Sequence, residues 1–193
     1  MVAVIVGVLA LQGAFREHQL MLAGLGVSSA QIRKPADLQN IGALIIPGGE
    51  STTISKLLAD YELFDRIVSL VEGGLPVLGT CAGTILLAKE IEDSTLPGLG
   101  LMDLRVRRNA FGRQVDSFEE DLPVPVLGDE PFRAVFIRAP QITGAGPDVE
   151  VLASYNGRIV MARQNKMLAV TFHPELTADQ RLHKYFLNLL EVS

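Results

Sequence analysis

Leu75-Pro76-Val77-Leu78-Gly79-Thr80-Cys81-Ala82-Gly83 is a short apolar run that ends in a cysteine between two glycines. The run reads as a buried strand, and residues 82–90 read as the helix that follows it. Gly79-Thr80-Cys81-Ala82-Gly83 is then a nucleophile elbow with cysteine in the serine position. A sharp turn there lifts the thiol clear of the backbone, small neighbours avoid a clash, and the helix aims its amides and positive dipole end at the sulfur. The bland alternative is a buried structural cysteine with glycines at a turn.

Outward from the elbow the same alternation continues. Upstream, residues 2–10 are β-branched with no polar face, which fits a strand buried on both sides. After Gln12-Gly13 a helix is expected, with Ala14, His18, Met21, Leu22 and Leu25 at helical spacing and Gly26 past its end. Residues 29–33 and 41–46 read as further strands, the second stopped by Pro47-Gly48-Gly49. Ser51 is placed to cap a helical region that runs in one or two pieces to Glu72. This order predicts an α/β fold: one domain over residues 1–193, a mostly parallel open sheet flanked by helices in the flavodoxin-like manner. The second half differs. Residues 134–137, 158–162 and 168–172 are short strand-like runs between turn-rich segments, which predicts antiparallel additions. Thr177, with Gln180 three residues on, predicts the start of a last helix whose apolar face is Leu182, Phe186, Leu189 and Leu190.

Composition narrows the class. An apolar share of 48% suits a doubly covered sheet, and a net charge of −5 leaves no basic footprint for nucleic acid. The first apolar run ends by Gln12, too short to span a bilayer and without a basic flank, so neither a membrane partner nor a secretory leader is expected. One cysteine and three scattered histidines make no zinc-ligand spacing, and no phosphate or dinucleotide loop is present. A cytoplasmic protein with no metal and no cofactor follows.

A thiol nucleophile needs a base, and the histidines are His18, His173 and His183. His18 lies on the apolar stripe of the first helix, where a packed or interface histidine is expected. His183 sits in the last helix with no acid on its face. His173 ends a buried run and begins His173-Pro174-Glu175. Proline disfavours helical backbone before it, and an extended chain turns residues two apart to one side. Glu175 can then orient the imidazole, as the third member of a triad does. Taken alone, His-Pro is also an ordinary strand-ending turn. Acyl transfer further needs oxyanion donors. The N–H of Ala82 is one; Pro47-Gly48-Gly49-Glu50, at the same carboxyl edge of the sheet, supplies the other from Gly49. Arg105, Arg107, Arg108 and Arg113 form a basic cluster from which one arginine can pair with a substrate carboxylate.

Together Pro47-Gly48-Gly49-Glu50-Ser51, Gly79-Thr80-Cys81-Ala82-Gly83 and His173-Pro174-Glu175 resemble the class I (triad) glutamine amidotransferases. Leu11-Gln12-Gly13-Ala14, Arg16-Glu17-His18 and Arg108-Asn109-Ala110-Phe111-Gly112-Arg113-Gln114 narrow the likeness to the glutaminase subunits of two-component pyridoxal 5′-phosphate synthases. The resemblance runs over essentially the whole chain. It implies hydrolysis of L-glutamine through a thioester on Cys81, with His173 and Glu175 completing the triad. The implied glutamine contacts are Gly49, Glu50, Ser51, Arg108, Ile137 and Arg138. The implied partner is a (β/α)8-barrel synthase in a large hetero-oligomer that receives the ammonia. Gln12, at the end of the first strand, is the candidate residue for sensing that partner. A free-standing cysteine hydrolase (a peptidase or γ-glutamyl hydrolase) and a non-catalytic binding module are the competing classes.

Overall fold

A computed structural model describes residues 4–92, 94–108 and 117–191. The chain runs β1 (Ile5–Leu9), α1 (Phe15–Gly24), β2 (Ser28–Ile32), β3 (Ala43–Ile46), α2 (Ser51–Asp60), α3 (Phe64–Glu72), β4 (Val77–Thr80), α4 (Ala82–Leu87), β5 (Ala88–Ile91) and β6 (Met102–Arg107). It continues through β7 (Ser117–Leu122), β8 (Phe132–Ile137), β9 (Gln141–Ala145), β10 (Glu150–Tyr155), β11 (Arg158–Gln164), β12 (Met167–Val170) and α5 (Arg181–Asn188).

The sheet order β2-β1-β3-β4-β12-β11-β9-β6-β5, with β10 beside β11, builds a ten-stranded sheet, and β7 and β8 pair separately. Strands β2, β1, β3, β4 and β12 are parallel to their neighbours in that order. From β11 onward the pairs with β12, β10 and β9, and of β9 with β6, are antiparallel, while β5 and β6 run parallel. An α/β fold with a parallel half and antiparallel additions is therefore what forms. Strand β3 shows why both faces must be apolar: Ala43 and Ile45 enter one core with Leu22 of α1 and Phe186 of α5, and Leu44 and Ile46 enter the other with Ile54, Ile67 and Leu86 of α2, α3 and α4. No described helix is long and apolar enough to cross a membrane.

Three local expectations are corrected. The helix after the elbow stops at Leu87, and residues 88–91 form β5 instead. The reason is tertiary: Leu99 and Leu101 donate their amides to the carbonyls of Leu86 and Leu87, and β5 finds a ladder on β6. Glu50, not Ser51, takes the N-cap position of α2, and no side chain caps it. Thr177 does not open the last helix. Its hydroxyl donates to the carbonyl of Pro174 and accepts from the amide of Asp179, and α5 begins at Arg181. Residues 2 and 3 of the expected first strand, and Asn109-Ala110-Phe111-Gly112-Arg113-Gln114, lie outside the described residues.

Candidate active site

Four adjacent parallel strands, β1, β3, β4 and β12, deliver their carboxyl ends to one edge of the sheet. The turns that follow them carry Gln12, Gly48-Gly49, Cys81 and His173. This is where an open α/β sheet holds its ligands.

At Cys81 the backbone turns through φ 47 and ψ −103, a conformation that costs a non-glycine residue free energy and that only surrounding structure maintains. The surroundings are specific. The amide of Cys81 donates to the carbonyl of Val170 at 2.8 Å, and the hydroxyl of Thr84 reaches the same carbonyl at 2.6 Å. A methyl group on Gly83 would stand 2.0 Å from the carbonyl oxygen of Ile46, and one on Gly79 2.6 Å from Leu87, so the elbow has no room for larger neighbours. Cys81 is nearly buried, at 6% exposure, and its thiol points to the carbonyl of Ile137 at 3.8 Å. Arg138, the next residue, has φ 45, a second strained position beside the thiol.

His173 and Glu175 meet as the sequence predicts but by another route. Residues 174–176 coil into a 3-10 turn rather than continuing an extended chain, and this brings Oε1 of Glu175 to 2.7 Å from Nδ1 of His173. The amide of His173 is tied to the carbonyl of Val135 in β8 at 2.8 Å. Burial opposes a charge on His173, but hydrogen bonds with Cys81 and Glu175, and their negative charge, outweigh it and raise the imidazole to about 10. Burial likewise opposes the Glu175 carboxylate; His18 and His173 outweigh it and hold its pKa below the ordinary glutamate range. The imidazole also lies on Gly48: a Cβ there would fall 2.3 Å from Cε1 of His173. Glycine is required at position 48 for close approach, a role the sequence alone did not separate from that of an ordinary turn.

The glycine loop is tethered from two sides. Gly48 donates its amide to the hydroxyl of Thr80 at 3.0 Å, and its carbonyl accepts from the amide of Ala14 at 3.0 Å. Gln12 Oε1 accepts from the amide of Glu50 at 2.7 Å. Gly49 and Glu50 themselves are exposed, Ser51 is buried at the start of α2, and Ala82 is buried directly after the cysteine. Arg108 reaches this loop and pairs with Glu50 at 3.3 Å, so two of the expected glutamine contacts meet each other. Ile137 ends β8 and meets the Cys81 thiol through its carbonyl, and Arg138 follows it. Arg105 and Arg107 point elsewhere, to Glu90 and Glu92.

Two residues dismissed as bases are part of the site's foundation. His18 Nδ1 lies 2.9 Å from Nε2 of His183, and His18 Nε2 lies 3.2 Å from Thr80 Oγ1 and 3.5 Å from Oε2 of Glu175. All three histidines of the chain thus stand in one buried cluster. The signal was present: each of the two interrupts an otherwise apolar helical stripe, His18 beside Met21 and Leu22, His183 between Leu182 and Phe186.

The profile of the SNO glutamine amidotransferase family matches residues 8–192. The chain belongs to that family. The amidotransferase is 67% identical over 182 residues to the pyridoxal 5′-phosphate synthase subunit PdxT of Pelotomaculum thermopropionicum, covering 94% of this chain and 93% of the relative. It is 60% identical to the protein of the same name from Carboxydothermus hydrogenoformans, over 94% of this chain and 95% of that one. A crystal structure of a glutamine amidotransferase superimposes with a TM-score of 0.93 at 54% identity, covering 97% of this chain and 99% of the other. PurLQS from Thermotoga maritima, at 16% identity, shares the fold with a TM-score of 0.74.

Proposed function

We propose that this amidotransferase hydrolyses L-glutamine to L-glutamate and ammonia at Cys81 and supplies the ammonia to a synthase that makes pyridoxal 5′-phosphate. The observation that carries the chemistry is the 2.7 Å contact of His173 with a buried Glu175, set beside a cysteine held on a strained elbow. The relatives' name, pyridoxal 5′-phosphate synthase subunit, supports the destination of the nitrogen.

The mechanism follows from which atoms are free. Nδ1 of His173 is engaged by Glu175, so Nε2 is the nitrogen that takes the thiol proton before attack; the raised imidazole keeps that proton, and the thiolate left behind attacks the amide carbon of glutamine. The amide N–H groups of Ala82 and Gly49 receive the oxyanion of the tetrahedral intermediate. His173 returns its proton to the departing nitrogen, ammonia leaves, and a γ-glutamyl thioester remains on Cys81. Water, deprotonated by the same imidazole, then cleaves the thioester to glutamate and free thiol. Glutamine carries a carboxylate and an ammonium on one carbon, and the Arg108–Glu50 pair offers a partner to each at the mouth of the site. Ser51, Ile137 and Arg138 complete the walls. The partner we assign is a (β/α)8-barrel synthase within a large hetero-oligomer, and Gln12, bonded to the amide of Glu50, is the residue through which docking reaches the glycine loop.

A glutaminase assay with and without the candidate synthase tests the reading. Turnover that rises with synthase and disappears in Cys81→Ala is expected; wild-type turnover retained by Cys81→Ala overturns it.

A further inference from the structure

Behind the triad lies a polar cluster that the hydrolytic steps do not use. His18, His183 and Thr80 are fully buried; His183 and Thr80 both contact the His18 ring, and His18 alone faces the carboxylate oxygen of Glu175 that His173 leaves unengaged. That oxygen, Oε2, has no hydrogen-bond partner within ordinary range, and neither has Nδ1 of His183. A buried carboxylate oxygen with nothing to accept is costly, so the nearest donor matters.

We propose that His18, held in its tautomer by His183, is a positioning residue for the triad acid: its Nε2–H faces Oε2 of Glu175 and leaves only Oε1 to orient His173. This rests on the assignment of His173 as the base. The tautomers follow from counting donors. If His18 carries its proton on Nδ1, that N–H points at Nε2 of His183, and the proton of His183 sits on Nδ1, where it has no acceptor. A lone pair on Nε2 of His18 would then face the carboxylate at 3.5 Å. With the proton on Nε2 of both rings, His183 donates to His18, and His18 donates toward Glu175 and the hydroxyl of Thr80. That leaves the Nδ1 lone pair of His183 and the hydroxyl proton of Thr80 without a partner, cheaper vacancies than the unpaired Nδ1–H of His183 together with a buried carboxylate oxygen facing a lone pair.

Thr80 extends the link. Its hydroxyl oxygen accepts from Gly48 as well as lying 3.2 Å from His18, so one buried atom joins the support of the acid to the support of the glycine loop. The charged and titratable groups that act on His18 are Glu175, His173 and His183 from the elements packed against it, and Glu17 from its own helix. Burial, the larger influence, keeps His18 neutral against the pull of the two glutamates.

Two measurements on the full chain decide the matter. Nitrogen-15 NMR of the histidine rings, which needs no turnover, is expected to show the Nε2–H tautomer at His18 and His183; an Nδ1–H tautomer at His18 overturns the proposal. Glutamine turnover with the partner synthase supplies the second test. His18→Gln places an amide nitrogen where Nε2 stood, and His18→Asn places one where Nδ1 stood. The first should keep kcat within about threefold, and the second should lose about tenfold or more in kcat with little change in KM. In a Glu175→Gln background the Asn variant should lose little further, because its route of action is already gone. Equal activity of the two variants, or the same loss in both backgrounds, overturns the proposal. Absence of turnover in the wild type with the expected tautomers present would instead remove the functional reading and leave this arrangement standing.

Discussion

At the scale of single residues, the site depends on a few contacts with no slack. Cys81→Ala should abolish glutamine hydrolysis while the protein melts nearly as before, since the change removes a nucleophile and little packing; parallel melting and glutaminase measurements check this. His173→Asn should lose about 100-fold or more, because the thiol loses its base and the leaving ammonia its proton donor. Glu175→Gln should be milder, since it keeps an acceptor for His173 while losing the charge. Gly48→Ala is a sharper test of the geometry. Its methyl would stand 2.3 Å from His173 Cε1, so the ring must move, and kcat should fall about tenfold or more while the stability cost stays near 1–3 kcal/mol. Wild-type turnover in that variant would mean that the imidazole has room to spare.

At the scale of elements, the turn after β1 acts as a clamp on the loop after β3. Gln12 and Ala14 hold Glu50 and Gly48 through one hydrogen bond each, while Thr80 of β4 holds Gly48 from below. A loop gripped from two strands can be reset by a partner that moves one of them. Gln12→Ala should therefore reduce the ratio of turnover with synthase to turnover without it, leaving the thiol still open to a glutamine-like electrophile. An unchanged ratio would take Gln12 out of the docking route. The wild-type chain alone should be a poor glutaminase for the same reason. The elbow is the opposite case: α4 is only six residues long, yet strand β4 before it and the amides of Leu99 and Leu101 after it fix both ends.

At the scale of the whole molecule, the buried histidines make stability depend on pH in opposite senses. His173 is raised from 6.5 to about 10, so its contribution is complete below about 6.5 and is lost as pH climbs toward 10. Burial lowers His18 and takes His183 down to about 3, so the contribution of each is present above about 6.5 and is lost on acidification, that of His183 as pH falls toward 3. The melting temperature should therefore peak near neutrality, and His183→Phe should flatten the acid side while leaving the alkaline side. An acid side unchanged in that variant would mean that His183 does not stay neutral. For the assembled enzyme, a complex carrying Cys81→Ala should make pyridoxal 5′-phosphate from added ammonium salt but not from glutamine. Failure of ammonium to rescue it would give the cysteine a part in the synthase chemistry itself.

Local pattern was enough for the inner strands β1, β3, β4 and β12 and for the elbow, because a doubly buried strand must be apolar throughout and a nucleophile turn tolerates only small neighbours. His173 and Glu175 could be brought together in advance, because an imidazole beside an elbow cysteine needs an acid within reach, although the 3-10 turn that joins them was not foreseen. The fate of residues 88–91 could not be read in advance. Ala88-Lys89-Glu90 favours helix locally, and only the parallel ladder offered by β6, a partner more than ten residues further along the chain, makes it strand. Thr177 and Gln180 matched a capping pattern, but Glu175 has to sit beneath His173, and the 3-10 turn that puts it there delays α5 to Arg181. His18 and His183 are 165 positions apart. Each looked like an isolated packed histidine, because burial makes a polar group costly unless a partner exists, and the partner of each lies on the other helix, where only the folded core brings them together.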